Sequence, residues 1–226
     1  MLRPCLYYVR RPSNHACNLR AVDVSCIYPA QEGMILMTRY RRVRPSDAAR
    51  LAAIQGYHIE HSNACFYYEA LPETALAEKI GTLAPVHPFI VCEQEGEVVG
   101  FAYASPMHPQ DAYSWSVELT VYIDPGFLHQ GLGSGLYSRM LALLRLQGYC
   151  HAYACITADN APSIAMHERF GFRQVGYYPA VGYKGGRWLD VAWLHLPLVE
   201  QLPQHPQRPV AFAALSDDVL NDMLNA

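Results

Sequence analysis

The stretch WSVELTVYIDPGFLHQGLGSG, residues 115–135, decides the fold. From Trp115 to Ile123 apolar and polar residues alternate strictly. Trp115, Val117, Leu119, Val121 and Ile123 share one face; Ser116, Glu118, Thr120 and Tyr122 share the other. A period of two marks a half-buried strand, because successive strand side chains point to opposite sides. The apolar face belongs on a core. The other face carries a carboxylate, two hydroxyls and a phenol, and suits a cleft. Asp124-Pro125-Gly126 ends the strand. Gly131, Gly133 and Gly135 follow, while Leu132, Leu136, Met140, Leu143 and Leu144 recur at helical spacing. Glycines at a helix start leave backbone N–H groups uncovered, and the helix N-terminus adds partial positive charge. A polyphosphate is the natural guest. The glycines fit equally well a helix whose first turn packs tightly on a sheet. No Lys-Ser/Thr pair follows them, which argues against a nucleotide-triphosphatase loop.

The totals bound the rest. A length of 226 residues suits one domain with tails. Apolar residues make up 51% and charged residues 16%, with a net charge of −3, so nothing global points to nucleic acid or an anionic membrane. No apolar run approaches the roughly 20 residues that cross a bilayer. The seven cysteines lack C-x-x-C spacing and several sit in apolar runs, as expected of reduced thiols in a cytoplasmic protein. The ten histidines are scattered and lack H-x-x-x-H spacing, so no metal site is expected.

Working outward, residues 1–36 hold four arginines and three cysteines without periodicity. They read as an irregular extension, and Met34 and Met37 offer alternative first residues. Arg10-Arg11 is not followed by the apolar stretch a twin-arginine signal requires. A strand is expected over 39–44. Pro45-Ser46-Asp47 opens a helix near 46–55, and a second short helix covers 57–63. Phe66-Tyr67-Tyr68-Glu69 is an aromatic loop. Then come a helix at 73–82, a strand at 89–93, a hairpin turn at 94–97 and a strand at 98–104. A polar loop near 106–113 leads to the central strand. The helix at 131–148 ends on Gly148. A strand follows at 150–156, then a helix at 161–169 opened by Asp159-Asn160-Ala161-Pro162 and ended by Gly171. The last strands fall at 172–178 and 190–196, separated by a loop over 179–189. The domain spans 37–198. Residues 199–226 form a proline-rich tail with a candidate short helix at 215–225, in which Val219 and Met223 lie four apart. A frayed end is the expectation.

The order of elements resembles the GNAT superfamily of N-acetyltransferases. Leu128-His129-Gln130-Gly131-Leu132-Gly133 resembles that superfamily's pyrophosphate loop, R/Q-x-x-G-x-G/A, with Leu128 where Arg or Gln is usual. Asn160 to Phe172, NAPSIAMHERFGF, resembles its N-x-x-[SA]…[YH]-x-x-x-G-F segment. Val117-Glu118 leading into Thr120-Val121-Tyr122-Ile123, the Met166-His167 pair, and the run from Val181 to Asp190 point to the phosphinothricin N-acetyltransferase-like branch. The resemblance covers about 38–198.

That resemblance implies an α/β (α+β) fold, a mixed central sheet splayed at the cofactor cleft between the central strand and 150–156, with helices on both faces. Acetyl-CoA is the implied co-substrate. Its pantetheine arm is expected along Val121, Tyr122 and Ile123. Its pyrophosphate is expected on Leu128, His129, Gln130, Gly131, Leu132, Gly133 and Ser134, with Asn160 and Ser163 as further contacts. Glu118 is the expected general base, direct or through a water; the bland alternative is a solvated strand residue. His167 stands where many relatives carry a tyrosine that protonates the leaving thiolate. An imidazolium suits that role, and a buried core histidine is the equal alternative. The implied acceptor is a small amino-acid analogue such as phosphinothricin or methionine sulfoximine or sulfone, hence a resistance trait. Tyr183, Lys184 and Arg187 are the expected donors to its acid group, within one chain or across a dimer interface, with a solvated surface loop as the bland alternative; Phe66 and Glu69 are the expected pocket wall. A homodimer is implied. Two other readings stay open: a peptide or protein N-acetyltransferase, and an acyl-CoA-binding sensor without turnover.

Overall fold

The computed structural model describes residues 37–225; the expected extension over 1–36 lies outside the described residues. Seven strands form one mixed sheet in the order β1-β2-β3-β4-β5-β7-β6. Strand β1 is Arg39–Arg42, β2 Phe89–Gln94 and β3 Glu97–Pro106. Strand β4, the alternating stretch, is Ser116–Ile123, and β5 is His151–Thr157. Strands β6, Arg173–Lys184, and β7, Arg187–Pro197, complete the sheet. All neighbours are antiparallel except β4 and β5. The β2–β3 turn puts Glu95 and Gly96 at positive φ (51° and 83°), the primed geometry that matches the twist of a two-residue hairpin.

Helices cover both faces. Helix α1, Ala48–His61, and α2, Glu73–Leu83, lie on one face with Leu51, Ile54, Leu76, Ile80, Phe89 and Phe101 buried between. Helix α3, Leu132–Gln147, and α4, Ala161–Arg169, lie on the other. The apolar residues of α3 foretold by spacing, Leu132, Leu136, Met140, Leu143 and Leu144, are all buried there, over Val117 and Leu119 of β4. Gly148 caps α3 at φ 91°, a left-handed conformation that glycine reaches without strain. Among the described residues no helix is long and apolar enough to cross a membrane.

Three expectations are corrected. The two short helices over 46–63 are the single helix α1, preceded by a 3-10 turn at Pro45–Asp47. Gly56 does not break it: Gly56 is buried, and a Cβ there would press on Ala70 at 3.2 Å. Close packing, not chain reversal, explains that glycine.

The loop over 179–189 is instead a long hairpin. Strand β6 bulges between Tyr178 and Gly182, then pairs with β7 up to Lys184 and Arg187. Gly185 and Gly186, at φ 61° and 77°, make the two-residue turn.

The tail is not frayed. Helix α5, Asp217–Asn225, docks on the core through Leu220 and Leu224, each 2% exposed, while Val219 stays exposed. Phe212 is buried as well, beneath the Arg42 guanidinium at 4.5 Å from its ring centroid. Main-chain and side-chain bonds fasten the strap: Arg42 donates to Leu215 O (2.8 Å) and Gln147 donates to Val210 O (2.6 Å).

Candidate active site

Strands β4 and β5 pair only where Ser116–Glu118 face His151–Tyr153; beyond that point they part. The amides of Cys150 and His151 donate to Trp115 O, and Asp124 N–H donates to Val99 O on the opposite side. Main-chain direction alternates along a strand, so Leu119, Val121 and Ile123 turn their peptide groups toward the gap left by β5. The gap opens into a cavity of about 910 Å³. Both faces of β4 reach it, Glu118, Thr120 and Tyr122 as well as Leu119, Val121 and Ile123, because the strand is a free edge there.

One end of the cavity is the start of α3. Leu128, His129, Gly131, Leu132, Gly133 and Ser134 line it. His129 and Gly131 take positive φ (63° and 77°), and Gly131 is the N-cap. The first-turn amides of α3 have no intrahelical acceptor, which leaves an anion-receiving end. Gly135 serves close packing instead, since a Cβ there would overlap the Tyr40 hydroxyl. Gln130 turns its side chain toward Gln94 (3.5 Å) and does not line the cavity. Leu128 is 43% exposed, an aliphatic chain at the rim with no polar contact to offer.

Asn160 caps α4, its side-chain oxygen accepting from Ser163 N–H at 3.3 Å, and both residues line the cavity. His167 lines it too but is 3% exposed. Its Nδ1 lies 2.7 Å from Ser163 O, a carbonyl that only accepts, so Nδ1 carries the proton. Nε2 lies 2.6 Å from the Tyr137 hydroxyl, which can donate or accept. Burial also pushes the His167 pKa below its ordinary value. The ring is engaged at both nitrogens inside the α3–α4 contact, and its burial disfavours a second proton.

Glu118 is half-buried at the fork of β4 and β5. Burial raises its carboxyl pKa, and nearby His108 partly opposes the rise. His58 of α1 donates from Nε2 to Ile123 O at 2.7 Å, so that carbonyl is occupied. Beyond His58, the α1 end of the cavity is lined by Ser62, Asn63, Ala64 and Phe66.

The expected acid-binding donors lie off the cavity lining of the single chain. Lys184 is 8% exposed and donates to the carbonyls of Ile59, Ser62 and Cys65 at 2.6, 2.9 and 2.7 Å. Arg187 pairs with Asp159 at the surface. Tyr183 is half-exposed against the Trp188 ring. None of the three, nor Glu69, lines the cavity; Phe66 does. The residues that sequence reasoning missed are His58, Asn63, Tyr137 and Thr157. Tyr137 stood on the apolar face of α3 beside Leu136, a signal that it is buried but not that it meets His167. Thr157 lines the cavity with a buried hydroxyl that has no protein partner among the described residues.

A mixed sheet forked at a carboxylate, facing a glycine-rich helix start, defines an acyl-transfer architecture, and comparison agrees. Residues 56–172 match the Acetyltransferase (GNAT) family, and the chain belongs to it. More narrowly, it is 37% identical over 171 residues to phosphinothricin N-acetyltransferase of Streptomyces viridochromogenes, covering 74% of this chain and 93% of that protein. It is also 37% identical over 114 residues to an L-methionine sulfoximine/L-methionine sulfone acetyltransferase of Salmonella typhimurium, covering 50% and 67%. Among solved structures it resembles a GNAT phosphinothricin acetyltransferase from Sinorhizobium meliloti in complex with acetyl-CoA. The TM-score is 0.73 at 29% identity, covering 79% of this chain and 97% of that one.

Proposed function

We propose that the protein transfers the acetyl group of acetyl-CoA to the α-amine of a small amino acid or close analogue, of the phosphinothricin or methionine sulfoximine/sulfone kind. The observation that carries this reading is the place of Glu118: a carboxylate with a raised pKa at the fork of β4 and β5, inside the cavity. A protonated amine must lose a proton before it attacks, and a base whose pKa lies nearer the working pH is better matched to take it. The names of the relatives support the acceptor class.

Bound acetyl-CoA supplies an activated acetyl group, and the chain's own residues do the rest. The Val121 carbonyl and the Ile123 N–H hold the pantetheine arm like an added strand, since Ile123 O already accepts from His58. The amides of Leu132, Gly133 and Ser134 receive the pyrophosphate. The Val121 N–H polarises the thioester carbonyl. Glu118 takes the amine proton, directly or through a water; the amine nitrogen bonds to the acetyl carbon, the C–S bond breaks, and the thiolate leaves and takes up a proton from solvent. His167, bonded at both nitrogens, keeps α4 against α3 at the cavity wall.

The working unit is a homodimer in this proposal. Val175, Val181 and Trp188 on the β6–β7 arm are 59%, 53% and 64% exposed, an apolar surface of the kind a second copy covers. The cytoplasm is the proposed compartment, on cysteine usage alone.

The test is thiol release from acetyl-CoA by the purified full chain with a panel of amines. The panel holds phosphinothricin, methionine sulfone, methionine sulfoximine, ordinary amino acids, a polyamine and a short peptide. Selective turnover of the first three is the expected result. Turnover of the peptide alone moves the activity to protein N-termini. Silence across the panel with acetyl-CoA still bound indicates a sensor.

A further inference from the structure

Lys184 has a place that the proposed chemistry does not use. It stands at the tip of the β6–β7 hairpin, buried, and its Nζ makes three hydrogen bonds to the carbonyls of Ile59, Ser62 and Cys65. Three donors to three acceptors is the full complement of an ammonium. All three acceptors are neutral, and no ion pair engages Lys184 among the described residues. The charge is therefore uncompensated beside the α1 end of the cavity.

The carbonyls it gathers set the direction of the neighbouring amides. A trans peptide is planar, with its C=O and N–H pointing opposite ways, and the described chain has no cis peptide. Ser62 O and Cys65 O point at Lys184, so the N–H groups of Asn63 and Phe66 point away from it. Neither N–H finds an acceptor among the described residues. Asn63 and Phe66 line the cavity. The segment is also clamped. A Cβ at Gly182 would overlap the Phe66 ring, and Tyr68 donates to Tyr183 O at 2.5 Å.

We propose that the segment Asn63–Phe66 is the receiving site for the acceptor's carboxylate. The amides of Asn63 and Phe66 donate to it, and Lys184 stands behind them as a positioning residue and a fixed positive charge. The inference rests on the N-acetyltransferase reading above and names how that site recognises an acid. Lys184 serves an acidic ligand without touching it, by orienting peptides whose donor ends face the ligand. An anion in a low-dielectric site gains from charge-assisted bonds to such prearranged donors.

The test is calorimetric titration of the full chain, loaded with CoA, using L-methionine sulfone and its carboxamide. Wild type is expected to bind the acid at least ~30-fold more tightly than the amide, the scale of a charge-assisted contact. Lys184→Met is expected to bring the two within about threefold while CoA affinity stays within about twofold. Lys184→Arg, which keeps the charge, is expected to retain most of the preference. Equal affinity for acid and amide in wild type overturns the proposal even if a variant fails to fold. Binding of neither ligand, or full preference in Lys184→Met, overturns it as well. Preferential acid binding without any thiol release from acetyl-CoA contradicts the transferase reading and leaves the carboxylate site standing.

Discussion

His167 combines a motif position that suits a proton donor with a buried environment that suits a structural residue. The sequence placed it where a proton donor is usual, and it does reach the cavity wall. But the Ser163 carbonyl and the Tyr137 hydroxyl hold its two nitrogens, and its ring packs edge-on against Tyr137 and Phe172. A buried side chain so engaged is expected to be a stability residue. His167→Ala empties its space and strands the Tyr137 hydroxyl, at a cost of about 2–4 kcal/mol in denaturant unfolding. If the variant keeps its stability yet loses turnover with its alkaline limb, the histidine is the proton donor after all. Glu118 was legible because strand parity set it on the polar face, and the fork fulfils that parity. The partners of His167 were not legible, since no local pattern says which tyrosine of α3 a histidine of α4 will meet.

At the scale of elements, strands and helices with strict periods were readable and punctuated segments were not. Strand β4 and helix α3 fall almost where alternation and 3.6-residue spacing put them. The hairpin of β6 and β7 was hidden by Pro179, Gly182, Gly185 and Gly186, which read as loop residues. In the structure a bulge absorbs the first two and a tight turn the last two. Asp190 secures the bulge by accepting from Ala180 N–H at 2.7 Å. The tail was hidden because three prolines signalled disorder, while the residues that bury, Phe212, Leu220 and Leu224, were too sparse to show a face. Their burial makes the strap part of the domain. Leu220→Ala is expected to destabilise the whole domain by about 2–5 kcal/mol, seen as a lower Tm of the cooperative transition. A Tm unchanged from wild type would mean that α5 detaches freely.

At the scale of the described domain, helices brace both faces of a sheet whose neighbouring strands β4 and β5 part at a fork. The two core clusters pack on opposite faces of that sheet. The exposed arm of β6 and β7 lies at the sheet's far edge. Light scattering on the full chain is expected to give twice the 25.4 kDa chain mass, and the monomer mass would contradict the dimer. Glu118→Asp leaves a base at the fork but withdraws it by one methylene, so a slowed reaction is expected there.

Glu118 also carries the sign of the pH response. Its pKa is raised in the fold, so the folded state holds that proton more tightly than the unfolded chain. The stability it contributes is full below the ordinary carboxylate pKa and is lost as pH rises through the raised one. Removing the charge by Glu118→Gln should therefore leave Tm at pH 7 equal to wild type or higher, whereas catalysis should suffer. The most direct measurement is the pH profile of thiol release from acetyl-CoA with L-methionine sulfone, for wild type and Glu118→Gln. Wild-type rate should climb on the acid side with an apparent pKa above the ordinary carboxylate value. The variant should bind acetyl-CoA equally well, lose that limb and run about 10²–10⁴-fold slower. A variant that keeps the wild-type rate and profile would contradict acetyl transfer by Glu118 at the fork.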